Sequence, residues 1–197
     1  TEKTQEKVIK RLMPYKERIE ELIEKNVFFL FTGNAVEVLG KYIENEDGSK
    51  IEGVGIFDVY AKRDMMHRHN SYMVGMYGNI EIVGFKSQFT MMYGDNSNEY
   101  FLEVEKGIGI NEKSKLEGIK KNNFIGTYLL GPILIENPLF TEKVLQAIGA
   151  KEDIALREDT IAAYEARLKE LKKLAWILQK HYRNITNILH FNKSIEK

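Results

Sequence analysis

The sequence predicts a mixed α/β fold with a long C-terminal helix. Three observations carry this reading. Val27-Phe28-Phe29-Leu30-Phe31-Thr32 and Asn123-Phe124-Ile125-Gly126-Thr127-Tyr128-Leu129-Leu130 are apolar runs without polar alternation, the pattern of strands covered on both faces. Glycine turns, Gly33-Asn34 and Gly131-Pro132, stop them. The last segment instead repeats apolar residues at heptad spacing.

The elements follow in order. Val8, Ile9, Leu12, Tyr15, Ile19, Leu22 and Ile23 recur at helical spacing, and Pro14 splits that helix or opens its second half. The strand over Val27 to Thr32 comes next. After the Gly33-Asn34 turn, Ala35 to Tyr42 resumes a helical pattern. Between Ile51 and Tyr100 the runs are short and β-rich, such as Val54 to Phe57, Tyr72 to Tyr77 and Ile80 to Phe85. Asp95 to Asn98 reads as a loop. A helix from Pro138 to Ile148 is closed by Gly149.

Ile161, Tyr164, Leu168, Leu171, Ala175, Leu178, Tyr182, Ile185 and Leu189 keep a 3-4 spacing over four heptads. A helix of that span is about 43 Å long. Its stripe packs along its length, on a coiled-coil or hairpin partner or on its own domain. Leu174, Ile177 and Ile188 widen the apolar face, which suits a domain or bundle. The predicted division is a domain over 1–150 and a helical extension over 151–197.

Composition removes whole classes of function. The 197 residues include 29 basic and 29 acidic side chains and no cysteine. A neutral chain is not a globally basic nucleic-acid binder. Without cysteine there is no disulfide, no cysteine zinc ligand and no cysteine nucleophile. No apolar run approaches the ~20 residues of a membrane span. The charged start, Thr1-Glu2-Lys3-Thr4, is unlike a secretory signal, so a cytoplasmic location is expected.

A buried strand, a glycine turn and a helix form the layout of a nucleophile elbow. In such a turn one side chain stands above the sheet, and the next residue's N–H can stabilise an oxyanion. The elbow needs Ser or Cys to react, whereas this turn reads Thr32-Gly33-Asn34-Ala35.

Three ordered blocks resemble a known family. They are Leu30 to Gly40, Ile51-Glu52-Gly53-Val54-Gly55-Ile56-Phe57-Asp58-Val59-Tyr60, and Ile125-Gly126-Thr127-Tyr128-Leu129-Leu130-Gly131-Pro132. They look like class I glutamine amidotransferases of the cobyric acid synthase type, most of all the glutaminase subunit of lipid II isoglutaminyl synthase. Family members carry Cys-Gly-Gly-Tyr-Gln at the elbow and Gly-Thr-Tyr-Leu-His-Gly-Pro later. The resemblance runs from about Leu22 to Gly149. It implies a partial doubly wound, flavodoxin-like sheet with helices on both faces. That sheet needs βα units before the elbow strand, at roughly 30 residues per unit. Only about one helix precedes Val27. The N-terminal part of the fold is therefore expected to lie outside this chain or on another one, or else the sheet is smaller.

The departures fall on the chemistry. By the resemblance, the cysteine position is Gly33, the next two glycines are Asn34 and Ala35, the glutamine is Glu37, and the histidine is Leu130. The family's Gly-Phe-Glu-x-His stretch becomes Gly84-Phe85-Lys86-Ser87-Gln88. The resemblance thus implies a degenerate pocket of Gly33, Asn34, Glu37, Gln88 and Leu130, with no catalytic residue. Thr32 lies one residue early, and strand alternation points it to a different face. Glycine also occupies the strained elbow backbone freely. Glutamine hydrolysis is expected to be absent.

The expected role is that of a binding or regulatory subunit, of a Mur-ligase-like synthetase by resemblance. Ile161, Tyr164, Leu168, Leu171, Leu178, Tyr182, Ile185 and Leu189 offer a second interface. The competing reading is an enzyme that binds glutamine or another amide and reacts through a different residue, with Glu37 and Asp58 as acidic candidates. A third makes the tail an oligomeriser. No cofactor, metal, nucleic acid or membrane partner is expected. His67, His69 and Asp64 lack a convincing further ligand. His181 and His190 read as surface or interface positions, and Lys113, Lys115, Lys120 and Lys121 as a solvated basic loop. Lys106-Gly107-Ile108-Gly109 lacks the context of a dinucleotide fingerprint.

Overall fold

The structure is a computed structural model that describes residues 2–173. It is a mixed α/β fold consistent with a flavodoxin-like amidotransferase domain. Helix α1 (Glu2–Leu12) passes through a short 3-10 turn at Met13–Tyr15 into α2 (Lys16–Glu24), so Pro14 marks the expected joint. Strand β1 (Phe29–Thr32) then runs parallel to β11 (Phe124–Thr127), with Phe29 opposite Phe124 and Thr32 opposite Thr127. Strand β10 (Ile119–Lys121) pairs antiparallel on the far side of β11.

The unbroken apolar run of β1 has a physical cause. Phe29 and Phe31 pack into a first core with Ile19 and Ile23 of α2, Phe124 and Tyr128. Phe28 and Leu30 pack into a second core with Ile125, Leu129 and Phe140 of α4 (Pro138–Ala147). Packed on both faces, the strand is apolar from Phe29 to Phe31 and turns polar only at its last residue, Thr32.

Two further sheets flank this centre. One has the order β3 (Lys50–Glu52), β2 (Tyr42–Glu44), β4 (Val59–Arg63), β7 (Thr90–Gly94). The other has the order β6 (Ile80–Gln88), β5 (His69–Tyr77), β8 (Leu102–Lys106), β9 (Leu116–Glu117). A short helix α3 (Ile133–Glu136) leads into α4.

Two segments differ from the sequence expectation. The helical pattern from Ala35 to Tyr42 is a 3-10 helix over Gly33–Leu39, and Tyr42 opens a strand. Lys41 donates its N–H to the Val59 carbonyl (2.7 Å), so the neighbouring strand claims the backbone just past the helix. Val54 to Phe57 is irregular rather than a strand. Its N–H groups turn to the carbonyls of Val38, Leu39 and Gly40, capping the end of that 3-10 helix.

The heptad stripe is described as far as residue 173, helical over 157–173. Tyr164 is buried against Val74 and Val83 of the outer sheet, with Leu139, Leu168 and Leu171 around it. Its hydroxyl donates to the Glu81 carbonyl (2.8 Å). Ile161 is half-buried. This half of the stripe packs on its own chain. Ala175, Leu178, Tyr182, His181, Ile185, Leu189 and His190 lie outside the described residues.

One buried polar pair links β6 and β9 within their sheet. Lys86 and Glu117, both with fully buried side chains, form an ion pair. Removing one partner of a buried pair leaves an uncompensated charge, at about 3–5 kcal/mol. Lys86→Met should therefore lower unfolding stability in urea by about 3 kcal/mol or more. A loss well below 1 kcal/mol would contradict this role.

Candidate functional site

The site is built where β1 ends. Thr32 is still extended, at φ −114° and ψ 152°, and Gly33 then turns to φ +61°. That conformation disfavours any side chain, and glycine adopts it freely. Gly126, across the strand pair, lets the turn close down. A Cβ there would lie 2.6 Å from Val36 of the 3-10 helix. The layout of strand, positive-φ centre and helical turn is therefore present.

The structure brings Gly33 and Leu130 together. A Cβ on Gly33 would sit 3.0 Å from Leu130 Cδ2. Backbone bonds hold the pair in place: Gly33 N–H donates to the Leu129 carbonyl (3.3 Å), and Leu130 N–H donates to the Phe85 carbonyl (3.0 Å). The positions where the resemblance puts nucleophile and base are thus neighbours in space. They offer a hydrogen atom and an isobutyl group.

Asn34 is exposed and Glu37 is 1% exposed. Gln5 of α1 reaches them both. Its Nε2 donates to Glu37 Oε2 (2.7 Å) and to the Asn34 carbonyl (2.8 Å). Its Oε1 accepts from Arg63 Nη2 (3.0 Å), and Arg63 Nη1 donates to Asn45 (2.7 Å). A side-chain amide from the chain's own first helix is therefore seated beside the Gly33 turn. Gln5 sits one turn before Ile9, so it is the polar extension of the apolar stripe on α1; that placement was the available signal. Arg63 and Thr90 carried no such signal, and Tyr128 stood in the third motif block without a marked role.

Burial pushes the Glu37 carboxyl up to about 7 from its usual 4.5, against the pull of the Gln5 hydrogen bond and the Arg63 charge. Burial, then the Glu37 charge, holds the Tyr128 phenol well above its ordinary value. Glu37 Oε1 and the Tyr128 hydroxyl are sealed from water without a hydrogen-bond partner among the described residues.

The other predicted residues disperse. Gln88, 6% exposed, donates to the Thr90 carbonyl (2.6 Å) and lies at the wall of a separate cavity. Asp58 is on the surface, 82% exposed, beside Lys41. It joins no site with Glu37. His67 is in the turn before β5, bonded through Nδ1 to Asp64 (2.9 Å), while His69 begins β5 and contacts Ser71. Among the described residues no group of three His, Asp or Glu could hold a metal ion. Lys121 pairs with Glu24, while Lys115 and Lys120 donate to backbone carbonyls. No described helix is long and apolar enough to cross a membrane.

The turn joins a strand to a 3-10 helix through a positive-φ glycine. No family model matches the chain. It is 31% identical over 145 residues to subunit GatD of lipid II isoglutaminyl synthase (glutamine-hydrolyzing) from Staphylococcus aureus (strain N315). That match covers 74% of this chain and 59% of the relative. It is 27% identical over 129 residues to the GatD subunit from Streptococcus pneumoniae (strain ATCC BAA-255 / R6), covering 62% of this chain and 48% of that one. The chain is homologous to GatD, and it spans roughly half the length of these curated relatives.

Glu37 gives the site a pH signature. Below its usual value of 4.5 the carboxyl is protonated in both folded and unfolded chains, and costs nothing. As pH rises toward 7 the unfolded chain ionises first, so the folded state loses stability; above about 7 the loss is complete. Glu37→Gln should gain stability over the parent between pH 5 and pH 8 by on the order of 1–3 kcal/mol in urea titrations. An equal stability difference at the two pH values would contradict the raised carboxyl.

Proposed function

We propose that this chain is a glutamine amidotransferase-like subunit of a synthetase complex that no longer hydrolyses glutamine. The supporting observation is the Gly33–Leu130 contact at the positive-φ turn. Neither residue can attack an amide or move a proton. The half-buried Thr32 lies in the extended strand, opposite Thr127, rather than at the turn centre. Homology to GatD, whose name ties it to lipid II isoglutaminyl synthase, supports cell-wall synthesis as the setting. It also supports a Mur-ligase-like synthetase as partner, in the cytoplasm.

A second reading rests on Glu37. A buried carboxyl near neutrality is suited to general acid–base work. In that reading the pocket would process an amide through Glu37 once Gln5 withdrew.

Purified chain incubated with glutamine should release no ammonia above the buffer rate, alone or with the synthetase. Light scattering should find the two proteins in one complex. Ammonia release abolished by Thr32→Ala or Glu37→Gln would overturn the non-catalytic reading, and two separate monomers would overturn the subunit role.

A further inference from the structure

A cavity of about 310 Å³ lies beside the connection from β4 to β5 and the start of β7. It is separate from the degenerate turn, because Gly33, Asn34, Glu37 and Leu130 are not among its lining residues. Its walls are charged and aromatic, with Lys62, Arg63 and Arg68 against Asp64 and Glu112, and Phe89 and Tyr93 beside them. Most of the charge there is already committed. Lys62 pairs with Glu44 (3.0 Å), Arg63 bonds Asn45 and Gln5, and Asp64 holds His67.

Arg68 is the exception. It is exposed and makes no ion pair among the described residues. Its guanidinium lies 4.6 Å over the Phe89 ring, which orients the planar fork. A guanidinium held in this way suits bidentate contact with a phosphate.

Two other walls ask for more than an inorganic anion. Tyr93 ends a column of stacked rings across β2, β4 and β7. Tyr42 and Tyr60 are 4.9 Å apart at 21°, and Tyr60 and Tyr93 are 5.6 Å apart at 24°. All three are half-exposed, and Tyr93 lines the cavity. Gln88 is 6% exposed and commits its Nε2 to the Thr90 carbonyl. Its Oε1 is left without a hydrogen-bond partner among the described residues. A buried acceptor without a donor costs free energy that a ligand N–H would recover.

We propose that this cavity binds a small organic phosphate bearing a planar ring, of the nucleoside-monophosphate kind. The phosphate pairs with Arg68. The ring lies against Tyr93 and donates an N–H to Gln88. An inorganic anion would leave the aromatic wall and the acceptor unused, and a neutral ring would leave Arg68 unpaired. The site is independent of whether the turn is catalytic.

Calorimetric titration of the full chain tests this with three probes: adenosine monophosphate, adenosine and inorganic phosphate, each repeated as a melting shift. The monophosphate should bind at least about tenfold tighter than either fragment. Arg68→Gln, at an exposed position, should weaken the monophosphate about tenfold and leave adenosine unchanged. Tyr93→Leu, checked for an unchanged melting temperature, should weaken both ring-bearing probes and leave phosphate alone. Absence of monophosphate binding by both readouts overturns the proposal. So does equal affinity for phosphate, or an Arg68→Gln variant that binds like the parent.

Discussion

A lysine and a glutamate with no exposed side-chain surface tie the β6-β5-β8-β9 sheet to the end of β11 in the central sheet. Lys86 on β6 reaches Glu117 on β9 and also donates to the carbonyls of Ile108 (3.0 Å) and Gly109 (2.7 Å). The other oxygen of Glu117 accepts from the Thr127 hydroxyl (2.8 Å) and the Tyr128 N–H (2.8 Å). Two buried charges are tolerable because every bond they need is supplied. The pair fixes the exit of β11. That exit carries Leu129, which accepts from Gly33, and Leu130, which lies against it.

The turn at Gly33 holds a positive-φ conformation with no side chain at its centre. A positive φ at the centre of an elbow is a strain that reactive side chains must bear, and glycine bears none of it. Gln5 fills the polar side of the turn with an amide of the chain's own, tied to Glu37, Asn34 and Arg63. Glu37, Tyr128 and Arg63 each keep one buried polar atom without a hydrogen-bond partner among the described residues.

The parts of the fold legible in the sequence were those written in local pattern. The unalternating run of β1 announced a strand covered on both faces, and Pro14 and Gly149 marked helix ends. The closeness of Gly33 and Leu130 followed from motif order, because two parallel strands end side by side. Long-range hydrogen bonding was hidden. The 3-10 geometry after Gly33 is set by where Val54, Gly55 and Ile56 send their N–H groups. Asp58 seemed close to the motif in sequence, yet it sits on the surface in the bend before β4. The heptad stripe showed an apolar face, but only the fold shows that Tyr164 spends it on Val74 and Val83.

The central claim is that the elbow survives as geometry and has lost only its reacting groups. Restoring them is the most direct test: a Gly33→Cys/Leu130→His double variant is exposed to a diazoketone analogue of glutamine and weighed by intact-mass spectrometry. A thiolate in a working elbow displaces dinitrogen and keeps the remainder as a single adduct. The account predicts one adduct on the folded double variant and none on the parent chain. An adduct on the parent, or none on a folded double variant, would contradict it.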